Sequence, residues 1–348
     1  MSNGIMFKLC SKYCQSGSKA WMGTLLAACT LVMLSLLPVM DYHYYADAAR
    51  AWRHGLSGLY DAKTSDFYYL PWSLVLLVPL SLLTDMWGQA VLNLISLTGL
   101  IWAVPKLTSS ISFRILALSL ITPFTVSNLI LGQWDALIVA GVALGWQAVD
   151  RHKCWLLGLA LGVIATKPTN ALLPAVFLIG AIRNWPLRDI FRVTAPLCLM
   201  FAASLLACGA DWPIRYMANL RTYPPTGYDV SLWGSGVGSP WLILLSVAAV
   251  GSTIQLARRK GVTGELLSYA LVTNLIISPY VVPYHYVSTA PALAVLARRN
   301  WRIAALVWGF SVILFLAFLQ RAAGLHMVAY PVALLMALLA VQDTCEGE

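Results

Sequence analysis

The chain of 348 residues is 59% hydrophobic and only 11% charged, and its mean hydropathy is +0.74. This composition excludes a soluble globular protein and indicates an all-α polytopic membrane protein. No polar stretch is long enough for a separate soluble domain, so one membrane domain over 1–348 is expected. The net charge of +9 is ordinary for a membrane protein whose Lys and Arg residues gather on one side, and it does not imply nucleic acid.

Three basic residues, Lys8, Lys12 and Lys19, precede the first apolar run like the basic region of a signal peptide. That run is about 20 residues long and lacks a small-x-small cleavage site, so it is expected to stay as a signal anchor. The seven cysteines show no metal-ligand spacing. Free thiols, no disulfide, no metal and no cofactor are therefore expected.

Asp41 follows directly on the first apolar run, which places a carboxylate near a membrane–water boundary. The residues after it alternate at helical spacing and predict a short amphipathic helix in the interface. Its apolar side holds Tyr45, Ala48, Ala49, Trp52 and Leu56, and its polar side holds His43, Asp47, Arg50 and His54. Asp41 has two interpretations, since Asp is a favoured N-cap as well as a potential catalytic base.

The apolar runs predict about twelve transmembrane helices: 21–40, 86–104, 111–131, 133–149, 154–166, 170–182, 193–209, 236–257, 266–282, 286–297, 302–319 and 326–342. The two runs between 154 and 182 fall short of the ~20 residues that a crossing needs, so they are expected to be buried or to leave a cavity on one face. The segment 67–83 contains Pro71 and Pro79 and is expected to be a short re-entrant or interfacial helix on the outer side.

The basic residues support a topology with both termini in the cytoplasm. Of 23 Lys and Arg residues, 16 then fall inside, and the other seven, Arg50, Arg53, Lys63, Lys167, Arg215, Arg221 and Arg321, fall outside. The same topology puts five polar segments on the outer face: 41–66, 132–135, 166–170, 210–235 and 278–286.

Some of these polar residues have both a structural and a functional interpretation. Lys167 is either a snorkelling lysine or a phosphate contact, and Pro168 favours a turn that presents the ammonium at the outer surface. His285 is either an interfacial residue or an acid/base or phosphate partner. Asp135 is interpreted as an acidic residue at a helix N-terminus. The 210–235 segment, with Arg221, suits sugar and phosphate but equally an interfacial belt.

No Walker, dinucleotide-glycine, HExxH or Gly-x-Ser-x-Gly motif occurs, so the sequence gives no support to nucleotide hydrolysis, NAD chemistry or metalloprotease and serine-hydrolase activity. The two halves of the predicted helices do not resemble each other, and paired broken helices typical of transporters are not evident.

The order of the polar motifs resembles glycosyltransferase family 87, the polyprenyl-phosphate-sugar-dependent mannosyltransferases within the GT-C superfamily. The resemblance covers most of the chain and runs through 41–50, 58–60, 69–71, Gly132-Gln133, Lys167-Pro168, and Ser278-Pro279 with His285. The chain departs from the common pattern at Trp134-Asp135 and at Tyr69-Leu70-Pro71, and both departures bear on the acceptor and the sugar.

The resemblance implies a multi-pass enzyme of the bacterial inner membrane with its active site facing the periplasm. It would move a sugar, expected to be mannose, from a polyprenyl phosphate to a glycolipid or lipid-linked acceptor with inversion. By likeness Asp41 is the general base and His285 a second catalytic residue. The expected contacts to the donor phosphate and sugar are Lys167, Arg50, Gln133, Arg221 and Tyr45.

Within this single domain, 21–209 is expected to form the catalytic module with outer loop 41–66. Residues 210–348 supply the C-terminal helices with outer loop 210–235. Two other classes stay open: a transporter or flippase of lipid-linked sugars, which needs access from both faces, and a non-catalytic scaffold, which Asp41 and Lys167 together disfavour.

Overall fold

The computed structural model describes residues 24–54, 59–60, 67–109, 111–221, 229–233, 240–320 and 325–345. Within these ranges the chain is helical and contains no strand. The helices are α1 (Thr24–Ser35), α2 (Tyr42–Arg53), α3 (Leu74–Leu80), α4 (Asp85–Thr108), α5 (Phe113–Leu120), α6 (Pro123–Ile130), α7 (Asp135–Asp150), α8 (Cys154–Ala165), α9 (Leu172–Ala181), α10 (Leu187–Cys208), α11 (Trp212–Arg221), α12 (Pro240–Lys260), α13 (Gly264–Ile277), α14 (Ala290–Arg299), α15 (Trp301–Leu319) and α16 (Ala329–Cys345). Short 3₁₀ helices occupy Pro71–Ser73, Pro168–Asn170, Pro283–Thr289 and Leu325–Val328.

Some of the sequence predictions fall outside the described residues. These are the basic N-terminal stretch with Lys8, Lys12 and Lys19, Leu56 of the predicted amphipathic helix, and Lys63 and Arg321 of the outer basic residues. Of the cysteines whose side chains are described, Cys29, Cys154, Cys198 and Cys208 are free thiols, as expected.

Each predicted crossing coincides with one helix, or at 111–131 with two, but the lengths vary. Four helices, α4, α10, α12 and α15, are long and apolar enough to cross a membrane. A fifth arises if α5 and α6 form one span bent by 59°. The bend follows from Thr122, whose hydroxyl accepts a hydrogen bond from Thr125 N at 3.1 Å and starts a new helix with Pro123 at its first position. The count of about twelve transmembrane helices remains a prediction.

The long helices turn apolar side chains outward. Leu206 on α10 is 90% exposed, and large aliphatic residues of α12 and α15, such as Leu244 and Leu306, are also exposed. Such an apolar surface is compatible with lipid rather than water. Together with the apolar helices it makes this chain a membrane protein.

Helix α13 lies at the centre of the bundle. All its residues from Leu266 to Ile276 are buried, which fits a helix that is hydrophobic on every side. Near its end, Asn274 donates to the carbonyl of Thr169 at 2.6 Å and accepts from Leu173 N at 3.0 Å. One buried amide therefore fixes the loop between α8 and α9, which carries Lys167.

Helices α7, α8 and α10 pack as successive neighbours, and a glycine permits the closest approach. A Cβ atom added at Gly158 would lie 2.2 Å from the carbonyl oxygen of Val193 on α10. No side chain fits there, so this glycine sets the distance between the two helices.

The amphipathic helix α2 and the broken segment 67–83 form one packed unit. On α2, Tyr45, Ala48 and Ala49 are buried while Asp47 and His54 are exposed, which confirms the predicted faces. The segment 67–83 folds as a 3₁₀ turn followed by the short helix α3. Helix α3 packs against α2, and the 3₁₀ turn packs against α10. In contrast, α1 is exposed along most of its length.

Candidate active site

Asp41 lies in the link between α1 and α2, and its side chain faces Gln133. It occupies the N-cap position of α2 but its carboxylate makes no capping hydrogen bond. Instead, Asp41 Oδ2 accepts a hydrogen bond from Gln133 Nε2 at 2.7 Å. Capping therefore does not account for this residue, and the interpretation as a functional carboxylate gains support.

The carboxyl group of Asp41 is half-buried, which raises its pKa above the ordinary value because the charged form loses hydration. The hydrogen bond from Gln133 and the positive charge of Lys167 act in the opposite direction. A carboxylate with a raised pKa is a stronger base than one in free solution.

Gln89 on α4 holds the link that carries Asp41. Its Nε2 donates to the carbonyl of Pro38 at 2.8 Å, and its Oε1 accepts from Met40 N at 3.4 Å. The same buried side chain lies against Gly132, whose φ of +67° shapes the turn before Gln133. Gln89 thus places the Asp41 link and the Gln133 turn side by side.

The side-chain amide of Gln133 connects Asp41 with Tyr45, Tyr69 and Lys167. Its Oε1 accepts hydrogen bonds from Tyr45 OH at 2.7 Å and Tyr69 OH at 3.2 Å, and lies 3.5 Å from Lys167 Nζ. With donors on the oxygen and a carboxylate on the nitrogen, the orientation of the amide is determined by its neighbours. Gln133 is buried, so water cannot easily replace these partners.

Lys167 forms a buried ion pair with Asp135. The Nζ–Oδ2 distance is 2.9 Å, and the side chains are 10% and 0% exposed. Asn170 donates to the other oxygen of Asp135, and the ammonium also lies 4.8 Å from the centre of the Tyr284 ring. Burial lowers the pKa of Lys167, and the nearby carboxylates of Asp135 and Asp41 oppose that shift.

The Lys167–Asp135 ion pair corrects the sequence interpretations of both residues. Pro168 does start a 3₁₀ turn and Lys167 is not helical, as predicted, but the ammonium is buried among aromatic rings instead of lying at the surface. Snorkelling is excluded for the same reason. Asp135 is at the start of α7 as predicted, yet it is also the partner of Lys167, which the sequence analysis missed.

His285 lies behind the ion pair. It is fully buried, its Nδ1 accepts from Val282 N at 3.4 Å, and its Nε2 is 3.6 Å from Asp135 Oδ1. Burial and the positive charge of Lys167 hold its pKa well below the ordinary value, so the imidazole is neutral. With Nδ1 as an acceptor, the tautomer that fits these contacts carries its proton on Nε2, which faces Asp135 but has no hydrogen-bond partner among the described residues.

The two arginines in the expected site lie apart from this cluster. Arg50 pairs with Asp47 at 3.2 Å and also with Asp85 at the start of α4. Arg221 is exposed at the end of α11. Among the described residues, neither guanidinium contacts Asp41, Gln133 or Lys167.

The outer polar segments do converge. Hydrogen bonds join residues of the 41–66, 132–135 and 166–170 segments through Gln133, and the ion pair of Asp135 brings in His285 of the 278–286 segment. The 210–235 segment joins them because Asp229 Oδ1 accepts from Val281 N at 3.1 Å. We refer to Asp41, Gln133, Asp135, Lys167 and His285 as the polar cluster.

The helical architecture holds a buried polar cluster with the half-buried carboxylate of Asp41 at one side, an arrangement compatible with a membrane enzyme. The sequence model of glycosyltransferase family 87 matches residues 67–283, which is more than half of the chain. The protein therefore belongs to glycosyltransferase family 87 and is a membrane glycosyltransferase. The match includes Gln133, Asp135 and Lys167, whereas Asp41 and His285 lie outside its limits. No curated protein and no solved structure matches the chain.

Proposed function

We propose that this glycosyltransferase moves a sugar from a polyprenyl phosphate to a glycolipid or lipid-linked acceptor, with Asp41 as the general base. The sugar that we propose first is mannose. The observation that carries the proposal is the Asp41 carboxylate, half-buried and aligned by Gln133. Its Oδ2 is occupied by the amide, and no hydrogen bond to Oδ1 is seen from any described residue. That oxygen is available for the hydroxyl of an acceptor.

The proposed step is a single displacement. The acceptor oxygen bonds to the anomeric carbon, Asp41 Oδ1 takes the hydroxyl proton, and the bond to the phosphate oxygen breaks with its electron pair going to the phosphate. Retention by double displacement would require a second carboxylate as nucleophile. Because Asp135 is completely buried and held by Lys167 and Asn170, it is poorly suited to that role, which supports inversion.

Lys167 is the group that we assign to the donor phosphate. An ammonium has three N–H donors, and in this structure one is taken by Asp135 and a second points to Gln133 at 3.5 Å. The third has no hydrogen-bond acceptor among the described residues. The ammonium also lies 4.8 Å from the centre of the Tyr284 ring, and we place the phosphate oxygen beside that ring. Tyr45 OH donates to the same Gln133 oxygen that Lys167 approaches, and we propose that Tyr45 contacts the sugar or the phosphate.

The roles of the other predicted residues are narrower. His285 contributes through Asp135, since its neutral ring faces that carboxylate. Arg50 already has two carboxylate partners, and Arg221 is exposed on α11. We therefore assign these two arginines to the outer rim, where they would attract an anionic headgroup rather than hold the reacting phosphate.

The short helices support a lipid-borne donor. At 1.5 Å per residue, the 12 residues of α8 span about 18 Å, well below the ~30 Å hydrocarbon core. The α8–α9 loop with Lys167 would then be recessed from the membrane surface. A recessed cation suits a phosphate carried on a membrane-embedded chain, and the tail contributes ~0.8 kcal/mol per buried CH₂ to residence in the bilayer.

The periplasmic orientation, with both termini in the cytoplasm, rests on the distribution of basic residues and is part of the proposal. Nucleotide sugars are made in the cytoplasm, so an outward-facing site favours a flipped lipid donor. The family assignment favours transfer over the transport alternative.

The test uses purified enzyme in nanodiscs with a glycolipid acceptor and either polyprenyl-phosphate mannose or a sugar nucleotide. We expect transfer from the lipid donor only, and a fall in kcat of about 10²- to 10⁴-fold for Asp41→Asn. The matched control is Asp47→Asn on the exposed face of α2, which should retain wild-type kcat. Transfer from the sugar nucleotide, or full turnover by folded Asp41→Asn, would refute the proposal.

A further inference from the structure

A second cluster of chemically reactive side chains lies at the other end of α7. This helix runs 16 residues from Asp135, so the cluster is about 22 Å from the polar cluster along the helix axis. It comprises His152, from the turn that leads into α8, Cys154, the first residue of α8, and Asp189, from the first turn of α10. None of these three residues belongs to the polar cluster.

The donor atoms of the three side chains are already close together. The His152 nitrogen, the Cys154 sulfur and an Asp189 oxygen all lie within 4.8 Å of one another. His152 Nε2 is 3.1 Å from Asp189 Oδ2. In a tetrahedral zinc site with bonds of about 2.0–2.1 Å to nitrogen and oxygen, neighbouring ligand atoms are about 3.3 Å apart. The His–Asp distance is thus close to the separation that a bound metal would impose.

The surrounding residues hold the donors in place. The His152 ring lies 4.0 Å from the Trp185 ring, and its backbone has a φ of +51°, a conformation uncommon for residues other than glycine. Arg192 Nη1 donates to Asp189 Oδ1 at 3.0 Å, which leaves Oδ2 directed at His152. Supporting contacts of this kind orient the ligands of metal sites in proteins.

The chemistry of the donor set selects the ion. Imidazole, thiolate and carboxylate together suit zinc and related transition metals, whereas Mg²⁺ and Ca²⁺ prefer oxygen ligands. Thiolate and carboxylate supply two negative charges to a divalent ion, which offsets the repulsion from Arg151, Lys153 and Arg192 nearby.

An adjoining cavity leaves a position for a further ligand. Its volume is about 580 Å³, and all three cations and both His152 and Cys154 line it. His152 is 53% exposed, so an ion can enter from solvent. The basic lining would also suit an anion, but basic residues at the cytoplasmic boundary are already expected from the topology. The compact three-donor arrangement is the more specific feature.

We propose that His152, Cys154 and Asp189 bind one divalent transition-metal ion of the zinc class. The ion ties the start of α8 to the start of α10 and is completed by water from the cavity. The spacing of the cysteines alone does not reveal this site, because Asp189 is 35 residues beyond Cys154.

The test is a titration of the full-length protein, purified in detergent without a polyhistidine tag, with Co²⁺ as the spectroscopic probe and Zn²⁺ as the competitor. A cysteine ligand produces a thiolate-to-cobalt absorption band in the near ultraviolet. We expect one equivalent of Co²⁺ with this band in wild type, displaced by Zn²⁺. Cys154→Ser should remove the band, and Asp189→Asn should weaken binding at least tenfold. Cys198→Ser, an exposed thiol on α10, is the matched control and should behave as wild type.

A second variant keeps the test decisive if Cys154→Ser fails to fold. His152→Asn removes one ligand while Asn tolerates the positive φ, and it should also weaken Co²⁺ at least tenfold. The proposal is overturned if no variant changes Co²⁺ binding, or if wild type binds no metal at micromolar concentration. Binding of inorganic phosphate without binding of Co²⁺ would likewise overturn it and indicate an anion site.

Discussion

Gln133 offers the sharpest test of how the cluster sets the basicity of Asp41. Its amide donates to Asp41 Oδ2 at 2.7 Å and stabilises the ionised form, which lowers the pKa of that carboxyl group. In Gln133→Leu this donor is lost while burial remains, so the pKa of Asp41 should rise further. A base works only when deprotonated. Activity that wild type loses as the pH falls through the Asp41 pKa will therefore be lost at a higher pH in the variant.

The size of the shift follows from the strength of the bond. A hydrogen bond to a charged group contributes about 1.5–3 kcal/mol. Since Asp41 is only half-buried, we take the lower end, about 1.5 kcal/mol, which corresponds to about one pH unit. The acid limb of kcat/KM should move up by about that amount. At pH well above the limb, kcat should also fall, because the carboxylate is no longer aligned.

The assay is a pH–rate profile of purified enzyme in nanodiscs with saturating acceptor. Gln320→Leu, an exposed glutamine at the end of α15, is the control for the same substitution and should leave the profile unchanged. A folded Gln133→Leu enzyme whose acid limb coincides with that of wild type would refute the assignment of Asp41 as the titrating base, or of Gln133 as its partner.

Three further outcomes follow from the structure. Lys167→Met should weaken donor binding. It should also lower the free energy of unfolding by about 3–5 kcal/mol, because it leaves the Asp135 carboxylate buried without its partner. Asp135→Asn in the same chain should recover part of the thermal stability. Unchanged donor affinity would remove Lys167 from the phosphate site. Gly158→Ala should lower the Tm, because its Cβ would meet the α10 backbone, whereas Gly180→Ala, with open space around it, should not; equal effects would contradict the packing described. Reporter fusions at both ends of the chain should report the cytoplasm, and a periplasmic signal from either would break the proposed topology.

The sequence was sufficient for the helical class and for the positions of the helices, because these depend on local patterns. Apolar runs located every described long helix, and the spacing of Tyr45, Ala48 and Ala49 predicted the buried face of α2. Local patterns do not determine the exact length of a helix, because contacts with the rest of the fold also decide where it ends. The run 266–282 looked like one crossing, yet α13 ends at Ile277 because Ser278 adopts an extended conformation and the chain turns back towards the polar cluster.

The candidate site was predicted in part for the same reason. Asp41, Lys167 and His285 stood out as polar residues in apolar surroundings, but their mutual contacts cross large sequence separations. Asp135 was interpreted from its neighbours in sequence as a helix-terminal acid, although its partner is 32 residues away. Gln89 is a polar residue inside a predicted membrane helix, a position that is energetically unfavourable without partners, and that signal would have identified it.

The contrast between α1 and Gln89 has a consequence for how this enzyme is assembled. Helix α1, the expected anchor, is largely exposed and contributes few of the contacts that determine where Asp41 lies. The position of the carboxylate comes instead from α4, through the two hydrogen bonds of Gln89 to the residues just before it. Attachment and alignment are thus separate tasks carried out by different helices. We therefore expect that another apolar helix of equal length can replace α1, whereas replacement of Gln89 should displace Asp41.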